Sequence, residues 1–338
     1  MNPKKRLKMS LNGERVDRPP CICPGGMMNM VTAELMERVG IYLPEAHTDA
    51  RKMADLAKAV YEQGCFENCG VPFCMTIEAE EIGARVDLGS QIYEPHVVKY
   101  AIDSVSDYEK LSGIDLTKGR AKVVLDAIGM LKEEVKDMPI IGNLTGPIST
   151  ASSVIEPVVF YKELRKKNAE AHAYMDFVTE QLIAFGRAQV EAGADVITIA
   201  DPSGTGEILG PRFFKEFAVR YINQLLDGLA DLHVETIVHI CGHMKNVYKE
   251  VSEVHSNALS FDSAVPMMDA RKNLADRVLM GNVSTYTLEF GSEEAVRRLA
   301  WNCIKCGSDI VSPACGLGMS SPLRNIKALL SSVEESDG

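Results

Sequence analysis

Eight short β-rich runs recur along these 338 residues, and longer helical patterns lie between them. The runs cover residues 20–24, 70–77, 139–146, 194–201, 236–241, 258–262, 278–283 and 309–313, the second of them broken by Pro72. They are apolar with little polar alternation, which is how strands covered on both faces read. A helical pattern over 174–192, with Phe177, Leu182, Phe185 and Val190 as apolar positions, stops at Gly193; another covers 213–229; a third over 293–306 stops at Gly307. Eight such runs with helices between them predict an α/β fold, a TIM-type (β/α)8 barrel of parallel strands, with a short N-terminal helical extension. An open, doubly wound sheet is the competing arrangement. No G-x-G-x-x-G follows the first run, so a dinucleotide site has no support. No low-complexity segment or Gly/Ser linker divides the chain, and residues 1–338 are expected to form one domain.

Bulk properties narrow the function classes. A 46% hydrophobic and 25% charged chain has globular composition. No apolar stretch is long enough to span a bilayer. The basic start, Met1-Asn-Pro-Lys-Lys-Arg-Leu-Lys8, lacks the apolar run and cleavage site of an export signal, so a cytoplasmic location is expected. The nine cysteines are then expected to be reduced thiols. A net charge of −11 argues against a nucleic-acid partner and gives no sign of a membrane surface.

A barrel carries its chemistry at the C-terminal ends of its strands. The polar residues there are Asn143 and Thr145, Asp201, His239 and Cys241, Asp262, Asn282, and Cys315 just past the last run. His239 and Cys241 lie two apart in Thr236-Ile-Val-His-Ile-Cys-Gly-His243, so on a strand they face the same way. An imidazole and two thiolates suit zinc, and three protein ligands leave a fourth position open for chemistry. Taken alone, a His-x-Cys pair is also compatible with ordinary core packing. Convergence of the strand ends on one mouth is what distinguishes a site from packing.

Several segments together carry a resemblance. Leu11-Asn-Gly-Glu-Arg-Val-Asp-Arg-Pro-Pro20 resembles the opening of the uroporphyrinogen decarboxylase superfamily, and Val190-Glu-Ala-Gly-Ala-Asp-Val-Ile-Thr-Ile-Ala-Asp-Pro202 is similar to its middle strand. Val238-His-Ile-Cys-Gly242, Gly281-Asn-Val-Ser284 and Ser312-Pro-Ala-Cys-Gly-Leu-Gly318 resemble its methyltransferase branch, the methylcobamide:coenzyme M and related corrinoid-protein methyltransferases. The resemblance implies a zinc held by His239, Cys241 and Cys315, with Asp262 at the position of an acidic fourth ligand or an orienting partner. It implies methyl transfer from methylcobalamin, supplied by a partner corrinoid protein, to a thiol such as coenzyme M; tetrahydrofolate is the alternative acceptor. Asp262, Asp201 and Asn143 are the expected catalytic residues. A decarboxylase is the rival within the superfamily, but Cys23-Pro-Gly-Gly-Met-Met-Asn-Met30 has no arginine to meet a polycarboxylate. A silent barrel that only binds the corrinoid protein is the rival from another class.

Three features are set aside. Cys303 and Cys306 form a C-x-x-C with no second pair nearby and are expected to be helix cysteines at the barrel's other end. Cys21 and Cys23 share a strand face but have no histidine beside them. His243 follows the break at Gly242 and is expected to stay out of the metal set. Met27, Met28, Met30, Met75, Met267, Met268 and Met319 are expected mostly to fill core, with some forming an adaptable rim.

Overall fold

The eight runs join into a ring. In the computed structural model, which describes residues 1–337, six strands form one parallel sheet and two more form a hairpin outside it. Numbered along the chain, the sheet strands are β1 (Cys69–Val71), β4 (Ile140–Thr145), β5 (Val196–Ala200), β6 (Glu235–Ile240), β7 (Ala258–Phe261) and β8 (Val278–Met280). They pair in that order. The first and last runs close the ring through single parallel bridges, Cys21 to Val311 and Met280 to Ile310. Ile22 N–H donates to Val311 O at 3.0 Å, and Glu67 N–H donates to Cys21 O at 2.9 Å, which ties the first run toward β1. The barrel is therefore the predicted one, with a difference at two positions. The first and last runs are bridges because Pro19, Pro20, Pro24 and Pro313 lack the N–H that a regular ladder needs. The second run ends early at Val71 for the same reason, and helix begins at Ile77.

The strand residues are buried throughout β4 and β5, and helices cover their outer faces. The predicted helix over 174–192 is the C-terminal part of a longer one, Asn168–Ala192. It ends at Gly193, whose φ of +126° suits glycine and few other residues. The single helix expected over 213–229 is instead three segments, Gly206–Phe213, a π-helical turn Phe214–Val219, and Arg220–Asp227. Gly210 and Pro211 break the first of them.

Two elements frame the ends of the barrel. Helix Pro3–Leu11, the expected N-terminal extension, buries Leu7 and Leu11 under the N-terminal ends of the strands. Lys4 N–H donates to Asp137 O, just before β4, and Ser10 Oγ to Asp309 O, just before the last bridge. Behind it, buried Glu67 accepts from Arg6 Nη1 at 2.7 Å and from both Nη atoms of Arg18 at 2.8 Å, and also from Cys21 N–H at 2.9 Å. At the opposite end, β2 (Arg85–Asp87) and β3 (His96–Lys99) pair antiparallel in an excursion between β1 and β4 that the run pattern does not foretell.

Candidate metal centre

The parallel register puts the centre together. His239 on β6 lies level with Ala200 on β5 and Ser260 on β7, and Ser260 lies level with Met280 on β8. Cys241 follows His239 with the strand alternation intact, and Cys315 stands two residues past Pro313, which bridges to Val283. One ligand atom each from His239, Cys241 and Cys315 lies within 4.8 Å of the other two. Among the described residues this is the one group of three or more histidine, cysteine or acidic side chains so arranged. Two segments distant in sequence, each ending a barrel run, thus meet at the mouth.

The electrostatics of the group follow from its burial. His239 is fully buried, and both cysteines are half-buried. His239 Nε2 lies 3.3 Å from Cys241 Sγ, and Nδ1 lies 2.9 Å from Ser260 Oγ. The two sulfurs act on each other. Hydrogen bonding between them holds the Cys241 thiol far above its ordinary range and draws the Cys315 thiol down. Burial reinforces the first shift and opposes the second, while His239 adds to the lowering at Cys315. A sulfur pair that crowds negative charge in this way is a pair that a cation would relieve.

The other predicted site residues take different places. Asp262 accepts from Gly242 N–H at 3.2 Å through one oxygen and from Ala264 N–H at 2.6 Å through the other. It fastens the loop beyond Cys241 and is not in the three-donor group. Asp201 is fully buried, and its carboxylate accepts from Ile148 N–H, Ser149 N–H and Ser149 Oγ at 3.1, 2.8 and 2.6 Å. Burial raises its pKa, and those hydrogen bonds work against the rise. Gly146 permits this approach, since a Cβ there would fall 2.4 Å from Asp201 Cβ. Asn143 Nδ2 donates to Pro24 O at 2.9 Å and Val71 O at 3.0 Å, which joins three neighbouring strand ends. Both carboxylate oxygens of Asp201 and the amide nitrogen of Asn143 thus hold neighbouring segments together.

Two residues at the mouth lie outside the sequence reading. Ser260 is fully buried beside His239. Glu78, in the helix after β1, accepts from Thr145 N–H at 2.8 Å and Thr145 Oγ at 2.9 Å; burial pushes its carboxyl up to about 7. Of the features set aside, Cys303 does not lie at the barrel's other end: its Sγ accepts from Asn282 N–H at 3.3 Å, just past the C-terminal end of β8. His243 is exposed, Cys303 and Cys306 lie on helix Glu293–Lys305 and its cap, and Cys21 and Cys23 are buried in the wall. Met28, Met30 and Met267 are core, Met27, Met75 and Met319 half-buried, and Met268 exposed.

Comparison with known proteins agrees with this architecture. The family model described as uroporphyrinogen decarboxylase (URO-D) matches residues 2–336. The chain belongs to that family. It is 34% identical over 330 residues to the methylcobamide:CoM methyltransferase MtbA of Methanosarcina acetivorans, covering 97% of this chain and 96% of that one. It is also 34% identical over 336 residues to the methylcobamide:CoM methyltransferase MtaA of Methanosarcina barkeri, covering 98% and 97%. A solved methyltransferase from Methanosarcina mazei superposes over the full length of both chains with a TM-score of 0.90 at 30% identity. Within the URO-D family, then, the chain stands beside corrinoid-dependent methyltransferases.

Proposed function

We propose that this enzyme transfers a methyl group from a methylcobalamin, presented by a separate corrinoid protein, to a thiol acceptor such as coenzyme M, with one zinc held by His239, Cys241 and Cys315. The observation that carries the reading is the convergence of these three donors at the C-terminal mouth of the barrel. The donor set fits zinc in softness, and three ligands leave a place for the acceptor. The names of the relatives, which specify a methylcobamide and CoM, support donor and acceptor alike.

Zinc supplies one thing here: it keeps a bound thiol deprotonated and nucleophilic at neutral pH. The chain's own residues do the rest. Two cysteine thiolates and a neutral imidazole bring the site close to neutrality, so an acceptor sulfur stays electron-rich. Asp262 fixes the loop behind Cys241, while Asn143 and Asp201 hold neighbouring strand ends in place. Burial of His239 keeps water from the inner side of the centre.

The rim supports a partner protein as the source of the corrinoid. Tyr93, Val158, Ile208, Met268, Tyr286 and Phe290 are all exposed. Each belongs to a segment that follows the C-terminal end of a barrel strand. Exposed apolar side chains on such segments are available to a partner protein that docks over the mouth.

Elemental analysis and a transfer assay test the reading together. One zinc per chain is expected, with methyl transfer from methylcobalamin to coenzyme M followed by the corrinoid's absorbance. Cys241→Ala and Cys315→Ala should lose most of the metal and the transfer while keeping the native circular dichroism, because a large core does not depend on the ion. Asp262→Ala should keep most of its zinc. Full occupancy in both cysteine variants would refute the ligand set. Transfer to tetrahydrofolate and not to coenzyme M would leave the centre standing and replace the acceptor.

A further inference from the structure

Ser260 stands where the two nitrogens of His239 are told apart. The pair lies on adjacent parallel strands at matched register, and both residues are fully buried, so water does not compete for either. Ser260 Oγ is 2.9 Å from Nδ1, whereas Nε2 faces Cys241 Sγ at 3.3 Å. The ring thus offers one nitrogen to a hydroxyl and the other to the sulfurs.

An imidazole can bind a cation only through a nitrogen that carries no proton, and a neutral ring carries one proton in total. If Nε2 is to bind, Nδ1 must hold the proton and donate it. Ser260 Oγ, 2.9 Å away, is the acceptor within reach. We propose that Ser260 is a positioning residue: it accepts the Nδ1 proton of His239, fixes the tautomer and ring plane, and so commits Nε2 to the metal. This rests on the metal reading above.

The choice of a hydroxyl has a chemical consequence. Zinc-bound histidines often donate to a carboxylate, which makes the ring more basic and adds negative charge. Here two thiolates already bring two negative charges. A neutral acceptor orients the ring without adding a third beside a fully buried imidazole, where an unpaired charge is costly. Ser260 therefore leaves the charge balance of the centre to the cysteines.

The test uses the full chain and the metal alone. Apo protein is titrated with Zn²⁺ against a chromophoric chelator, and with Co²⁺ followed by its d–d absorption. Ser260→Ala is expected to bind about 10–100-fold more weakly than wild type, with an altered Co²⁺ spectrum and an apo melting temperature near that of wild type. Ser260→Thr, which keeps the hydroxyl, should recover much of the affinity. Equal affinity and spectrum for wild type and Ser260→Ala would overturn the proposal while leaving the metal reading intact. Wild type that binds neither ion would overturn both. Should the alanine variant fail to fold, ¹⁵N imidazole shifts of the wild-type protein loaded with Zn²⁺ decide the matter. A protonated Nδ1 at His239 is expected, and metal bound through Nδ1 would overturn the proposal.

Discussion

Asp201 and Glu78 show how differently two buried carboxyls can be employed at one barrel mouth. Asp201 has three donors and acts as a cap for the helix that starts at Pro147. Glu78 has two, both from Thr145, and burial dominates, lifting its pKa from 4.5 to about 7. A carboxyl raised in the folded state binds more protons there than in the unfolded chain. Its contribution is fully present below about 4.5 and is lost as pH rises through about 7. Stability should therefore fall across that window, by on the order of 3 kcal/mol at most, and Glu78→Gln should flatten this part of the profile. Denaturant midpoints from pH 5 to 8 measure it, and an unchanged slope in the variant would rule Glu78 out as the source. Strand alternation alone made His239 and Cys241 legible as a pair in the sequence. Ser260 was not legible, because its meeting with His239 depends on the register between β6 and β7, which no spacing encodes.

At the scale of elements, the sequence told most where periodicity was strong and least where proline or an excursion intervened. The six paired strands, the helix ending at Gly193 and the one ending before Gly307 stand close to their predicted places. The β2–β3 hairpin was missed, since two strands of three and four residues with exposed side chains carry little apolar pattern. What regular pairing does not supply at the proline-rich first run, Glu67 supplies from the side. It accepts from Cys21 N–H and from the guanidinium groups of Arg6 and Arg18. Glu67→Ala would leave two poorly exposed guanidiniums without their shared acceptor and should cost about 3–5 kcal/mol. Urea unfolding measures this, and a loss below 1 kcal/mol would mean that solvent replaces the carboxylate with ease.

For the whole molecule, an ion held by His239, Cys241 and Cys315 would join the sixth strand to the segment that completes the ring. A ligand that binds only the folded chain stabilises it by mass action, about 2.7 kcal/mol at a hundredfold excess over its Kd. Removing metal with a chelator should therefore lower the melting temperature of wild type and leave that of Cys315→Ala unmoved. Calorimetry with and without chelator compares them, and equal shifts in the two would mean that the ion sits elsewhere. The position of Cys315 also sets an order of events. It lies just beyond the last stave of the barrel, so it leaves the ribosome after every barrel strand. A chain not yet extended to Cys315 can offer His239 and Cys241 but not all three donors, and the three-donor group waits until the barrel can shut.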